Sequence, residues 1–157
     1  MSWALGDLDR RLAGRAIGGV GVVVGDSAQI SAAWLPSSIG TPSETARFLH
    51  GLFGGRLCGS QSLAQLTTLT EVPAGPPRWN HPGYGLGVMA ETESPVGPVY
   101  GHNGGGPGYK VSVFHAPHIA AGGITISAMS TLEGDDHLTE IVVLDALEQA
   151  FRSARVP

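Results

Sequence analysis

Apolar residues recur at helical spacing in some stretches of the chain and alternate with polar ones in others, so helices and strands are both expected. Trp3, Leu5, Leu8 and Leu12 predict a short first helix behind Ser2, with Gly14 to end it. Ala16 to Val24 is a glycine-interrupted apolar run that predicts one strand, and Gly25-Asp26-Ser27 predicts a turn. Ala32 to Ile39 is irregular, because Pro36-Ser37-Ser38 opposes regular structure.

The clearest helix follows. Thr41-Pro42-Ser43-Glu44 places a hydroxyl at the N-cap, proline at the first helical position and glutamate at the third. Ala46, Leu49, Leu52 and Phe53 supply its apolar face, and Gly54-Gly55 its stop. Ser60 is expected to cap a second helix over Gln61 to Leu69, and Pro73 to Pro77 to form a rigid linker. From Tyr84 the period changes to two. Tyr84 to Ala90 and Val99 to Asn103 predict a hairpin around the loop from Glu91 to Pro98. Tyr109 to His115 largely alternates, as a strand with one buried face should, and Gly123 to Met129 predicts an antiparallel partner. Asp135 or Asp136 is then expected to cap a long helix with Leu138, Ile141, Val142, Leu144, Leu147 and Phe151 on or near its buried side. Strands followed by a covering helix indicate an α+β class: antiparallel strands, a C-terminal helix over them and two preceding helices.

Composition narrows the function classes. Glycine (24) and proline (11) together stay below the share at which low complexity takes over. With 42% hydrophobic and 14% charged residues, the chain can bury enough surface to offset its ordering entropy. Its 157 residues suit one domain of ordinary size. The net charge is −4 and the nine basic residues are scattered, so no nucleic-acid partner is expected. The apolar runs over residues 16–25 and 120–129 are too short and too glycine-rich for a membrane span. Met1 to Asp7 has an acidic residue where a secretory leader has its positive region, which makes the cytoplasm the default compartment. Cys58 is the single cysteine, which excludes an internal disulfide and predicts a small, buried or half-buried side chain after a helix.

Candidate chemistry is sparse. Gly19 to Gly25 is similar to a dinucleotide loop, but such a loop must follow a strand and open a helix. Gly104 to Lys110 lacks the Lys-Ser/Thr pair of a phosphate loop. The six histidines form no local ligand cluster: Pro117 separates His115 from His118, and both are expected in turns or at the surface. His50 and His137 are expected on helix surfaces and His81 in the linker. His102-Asn103-Gly104 differs by its setting, at a strand end after Tyr84-Gly85-Leu86-Gly87 and Tyr100-Gly101, and before Gly105 to Tyr109.

This order of segments resembles the C-terminal half of the serine β-lactamase and DD-peptidase superfamily, in the class C-like branch that includes penicillin-binding-protein-like serine esterases. Ser38 to Phe48 is similar to its "Gly-Gly-x-x-Ser-Thr-x-x-Asp-x-x-Arg-Phe" helix start, and Leu52 to Leu69 to the segment that follows. Tyr84 to Gly87 is similar to the strand before the family's Lys/His-x-Gly motif, and His102-Asn103-Gly104 to the motif itself. Gly108-Tyr109 and the helix from Asp136 to Phe151 complete the series. The resemblance runs from about residue 32 to 153 and implies two parts: residues 1–31, an unaligned N-terminal element, and residues 32–157, the C-terminal portion of a β-lactamase-like transpeptidase fold. It also implies that His102 faces a cleft, that Asn103, Gly104 and Gly105 line the substrate, and that the Gly105 N–H donates to an oxyanion. The substrate would be a small acyl compound: a β-lactam, a D-Ala peptide or an ester. No metal or other cofactor is implied.

The same family attacks with the serine of a Ser-x-x-Lys motif, because a serine without a neighbouring base is too weak a nucleophile. Here the single lysine is Lys110 and Pro107 stands three residues before it, so the motif is absent, as are Tyr-x-Asn and Ser-x-Asn. His102 is therefore expected as cleft wall rather than nucleophile, in a truncated, hydrolase-like chain that is not catalytic alone. A complementary N-terminal chain, or self-association, would complete such a site. An alternative is a non-catalytic binding or structural module on the same fold, with residues 1–31 covering a sheet edge. An unrelated enzyme pairing His102 with Asp135 or Asp136 is the remaining option.

Overall fold

The computed structural model describes residues 20–24, 41–73, 75, 77–106, 109–131 and 137–155. The first helix expected over residues 2–14, the turn at 25–27, the irregular stretch 32–39 and the expected cap at Asp135 or Asp136 lie outside these.

Among the described residues the fold is α+β. Its strands are β1 (Val20–Val24), β2 (Thr70–Glu71), β3 (Pro82–Tyr84), β4 (Met89–Glu91), β5 (Val99–Gly106), β6 (Tyr109–Ala116) and β7 (Ile124–Ser130). Its helices are α1 (Pro42–Phe53), α2 (Ser60–Leu66) and α3 (Leu138–Ala154). The strands form one sheet in the order β1-β7-β6-β5-β4-β3-β2. Neighbours from β2 to β7 pair antiparallel, and β1 adds a parallel edge through Val20↔Ile126 to Val24↔Ser130.

α1 starts as its sequence dictates. The Thr41 hydroxyl accepts from the Glu44 N–H at 3.2 Å while Glu44 Oε2 accepts from the Thr41 N–H at 2.7 Å, so each satisfies a donor the helix leaves unpaired. α2 differs from expectation. Gly59 is its N-cap, Ser60 lies inside its first turn, and it ends at Leu66. The Thr67 hydroxyl donates back to the Leu63 carbonyl and the Thr68 hydroxyl to the Ala64 carbonyl, which closes the last turn and frees Thr70 to pair in β2. The strand expected over 84–90 is two short ones, β3 and β4, joined by a turn in which Gly85 N–H donates to Val88 O and Gly87 takes φ +76.

The central strands are buried on both faces, which corrects the single buried face expected of β6. Residues from Ser112 to Ala116 are all buried, because α3 covers one side of β6 and β7 and α1 covers the other. The α3 side holds the main core: Val99, Phe114, Ile126 and Ala128 against Val143, Ala146, Leu147 and Ala150. The buried face of α3 thus centres on Val143 and the two alanines, whose small side chains let the helix approach, while Ile141 and Val142 are only half-buried. His137 occupies its N-cap, one residue past the expected acidic cap.

A buried carboxylate fixes the loop before β3. Glu91, 1% exposed, accepts from the backbone N–H groups of Asn80, His81 and Glu93 at 2.6–3.2 Å. The Arg78 guanidinium ties the same loop to Asp145 and Glu148 of α3. Held between these anchors, Trp79 meets the Phe114 ring edge-on at 5.6 Å.

Candidate functional site on the outer half of strand β5

β5 has two halves. Val99 pairs with β4, and Tyr100 and Gly101 pair with both β4 and β6, whereas residues 102–106 pair with β6 alone among the described strands. Gly101 makes the approach to β6 possible: a Cβ there would lie 1.9 Å from the Val113 carbonyl oxygen. Beyond it the strand emerges from cover, and His102, Gly104 and Gly105 are exposed.

The His102 ring is held at both nitrogens. Nδ1 bonds the Asn103 carbonyl oxygen, which can only accept, so in the neutral ring Nδ1 carries the proton. Nε2 is then the acceptor, and the Tyr84 hydroxyl donates to it at 2.8 Å. The Tyr84 ring stands edge-on to the imidazole, 5.9 Å away at 85°. Tyr84 is 41% exposed, so the pair faces solvent. A proton can move between Oη and Nε2 there without crossing a buried region.

Alternation along the strand divides the sequence-predicted residues between faces. Gly104 shares the face of His102, and a Cβ on it would meet only Val111 Cγ1 at 3.9 Å. Packing does not require a glycine there, and its absent side chain keeps the front of the strand clear. Gly105 is more confined, since a Cβ would lie 3.0 Å from the Tyr109 carbonyl oxygen. Asn103 points to the opposite face, where its Nδ2 donates to Glu140 Oε2 of α3 at 2.9 Å. Asp135 and Asp136 lie outside the described residues.

Two residues of this neighbourhood escaped the sequence reading of roles. Tyr84 is legible only as part of a glycine-flanked strand, because its partner is 18 residues away, two strands on in the chain and beyond β4 in the sheet. Glu140 is 1% exposed and had one signal, a glutamate in the first turn of an otherwise apolar helix. Burial raises its carboxyl above the ordinary range, while Asn103, His137 and the Trp79 indole pull it down in that order. The indole stops short of hydrogen-bond geometry, so Glu140 Oε1 and Trp79 Nε1 have no hydrogen-bond partner among the described residues.

The remaining histidines separate from the site. His115 is 2% exposed on β6, not at a turn or surface, and His50 is half-buried against it, because the α1 face that carries His50 and Phe53 closes over the sheet. His118 is exposed in the turn after β6, and His81 pairs with Glu93. Cys58 is half-buried, as expected. Among the described residues no three His, Cys, Asp or Glu side chains converge as metal ligands, and no helix is long and apolar enough to cross a membrane.

Compared with solved structures, the chain is similar to a D-stereospecific amidohydrolase from Streptomyces sp., at 24% identity and a TM-score of 0.48, over 66% of this chain and 33% of that one. The chain therefore spans about a third of that protein's length. No family model and no curated protein matches it.

Proposed function

We propose that the outer half of β5 is one wall of an acyl-group site of the serine β-lactamase and DD-peptidase type, and that residues 32–157 are the C-terminal portion of that fold. The observation that supports it best is the His102-Asn103-Gly104 strand itself. An exposed imidazole, held in one tautomer and bonded to a tyrosine hydroxyl, stands beside a glycine with open space in front. The ligand is a small acyl compound: a β-lactam, a D-Ala peptide or an ester. Its extended amide would lie along residues 102–105, where β4 no longer pairs, with the Gly105 N–H donating to the carbonyl oxygen. The Tyr84–His102 pair would face the ligand's carboxylate or leaving group and hold a proton there.

The chain lacks the Ser-x-x-Lys nucleophile motif, so it binds but does not turn over by itself. Nitrocefin and p-nitrophenyl acetate are expected to be hydrolysed no faster than by a heat-denatured control. In ¹⁵N-labelled protein, benzylpenicillin or an acylated D-Ala-D-Ala peptide is expected to shift the amide signals of residues 102–105, and His102→Ala to abolish those shifts. Turnover that survives His102→Ala, or ligand shifts confined to other elements, would overturn the assignment.

A further inference from the structure

We infer that Glu140 is a positioning residue for the His102 strand: buried at the start of α3, it holds the Asn103 side chain and thereby sets the backbone that orients the imidazole. The inference rests on the acyl-site reading for the strand's purpose, but not for its mechanics. Asn103 sits between two contacts. Its Nδ2 donates to Glu140 Oε2 at 2.9 Å on the α3 face, and its carbonyl oxygen accepts from His102 Nδ1. A movement of the carboxamide is therefore passed to the peptide group that selects the His102 tautomer, and through that tautomer to the acceptor role of Nε2 toward Tyr84.

Glu140 is suited to this task by its own fixation. It is 1% exposed and follows Thr139, whose hydroxyl meets Ser112 Oγ at 2.9 Å. Ser112 is the register partner of Asn103, so the two bonds pin neighbouring points of β5 and β6 to one helical turn. A carboxyl oxygen accepts from Asn103 whether or not the group carries a proton, so the contact survives the upward pressure of burial. An apolar side chain would pack in the same place, yet leave the Asn103 amide unsatisfied at the edge of the core.

The test uses the full chain without ligand, so its outcome is separate from that of the binding experiment above. At a fixed neutral pH, the ring ¹⁵N signals of His102 report the tautomer, and amide exchange at residues 103–105 reports strand order. Glu140→Ala and Asn103→Ala are each expected to move the ring signals from the Nδ1–H form toward a tautomer average. Both should also raise amide exchange at 103–105 about tenfold. Glu140→Gln, which keeps an acceptor for Asn103 Nδ2, is expected to restore both readouts to wild type. Should Glu140→Ala not fold, Asn103→Ala carries the same comparison from the half-buried side of the contact. Unchanged ring signals in Asn103→Ala, or equal effects of the Gln and Ala variants at Glu140, would overturn the inference.

Discussion

His102 and His115 lie on neighbouring strands and on the same face of the sheet, since His102 is the register partner of Val113 and His115 stands two residues further along β6. They have opposite fates. His115 is roofed by α1: Phe53 stacks on its ring at 4.8 Å, His50 meets it edge-on, and its Nδ1 bonds Thr125 Oγ1 at 2.7 Å. Gly123, at φ +73, leaves the space its ring edge fills, for a Cβ there would come within 2.5 Å of it. His102 stands past this cover and keeps one tyrosine and one carbonyl as partners in contact with solvent. Residue type and face are equal, so what separates a core histidine from an exposed one here is the reach of one helix.

The largest break in this comparison comes from removing the core member. His115→Ala is expected to cost about 3 kcal/mol in urea unfolding, because it opens a void under Phe53 and leaves Thr125 with only the longer contact to His50. A cost below about 1 kcal/mol would show that α1 does not seal that ring.

The next effect is acid lability. Burial, helped by the nearby His50, pushes the His115 pKa down from 6.5 to about 4, and burial lowers His50 as well. Between these values the unfolded chain binds protons that the folded chain refuses, so stability falls as pH drops from 6.5 to about 4 and then levels off for this group. A loss of about 2 kcal/mol across that window is expected from chemical denaturation at fixed ionic strength. Glu140, whose pKa is raised by burial, acts in the opposite sense, gaining stability as it takes up its proton. The slope is therefore read most cleanly in Glu140→Gln, and in His115→Ala it should shrink to the part that His50 contributes. An undiminished slope there would assign the acid sensitivity to other groups.

The smallest effect belongs to His102. Its truncation to alanine should change stability by no more than about 0.5 kcal/mol, since it removes an exposed side chain and no core contact. A loss as large as that of His115→Ala would make the Tyr84–His102 pair a structural clasp and erase the contrast.

Local features of the fold are legible in the chain. The Thr41–Glu44 box needs only residues three apart, and the structure forms both of its bonds. The hairpin between β4 and β5, the β6–β7 pair and the covering C-terminal helix follow from alternation, turn residues and helical spacing. The errors share a cause. Alternation predicts a β6 buried on one face and an exposed His115, because it registers one covering layer and this sheet has two. Large aliphatic residues predict the α3 face in part: Leu144 and Leu147 are buried as expected, but the structure also seats Ala146, Ala150 and Glu140 inward, where close approach and a single polar partner matter more than bulk.

The candidate site divides in the same way. The sequence alone places a histidine and glycines on a strand expected to end at Asn103, whereas β5 runs on to Gly106, and the chain lacks the Ser-x-x-Lys motif. Only the tertiary structure decides that Gly101 brings β5 against Val113, that Tyr84 reaches past β4 to His102, and that Asn103 turns away to Glu140. Caps, turns and strand period depend on residues within a few positions of one another, so composition and spacing specify them. Which of two like residues is covered, and which carboxylate meets which amide, depends on how helices distant in sequence settle on a two-faced sheet, and that is fixed by packing.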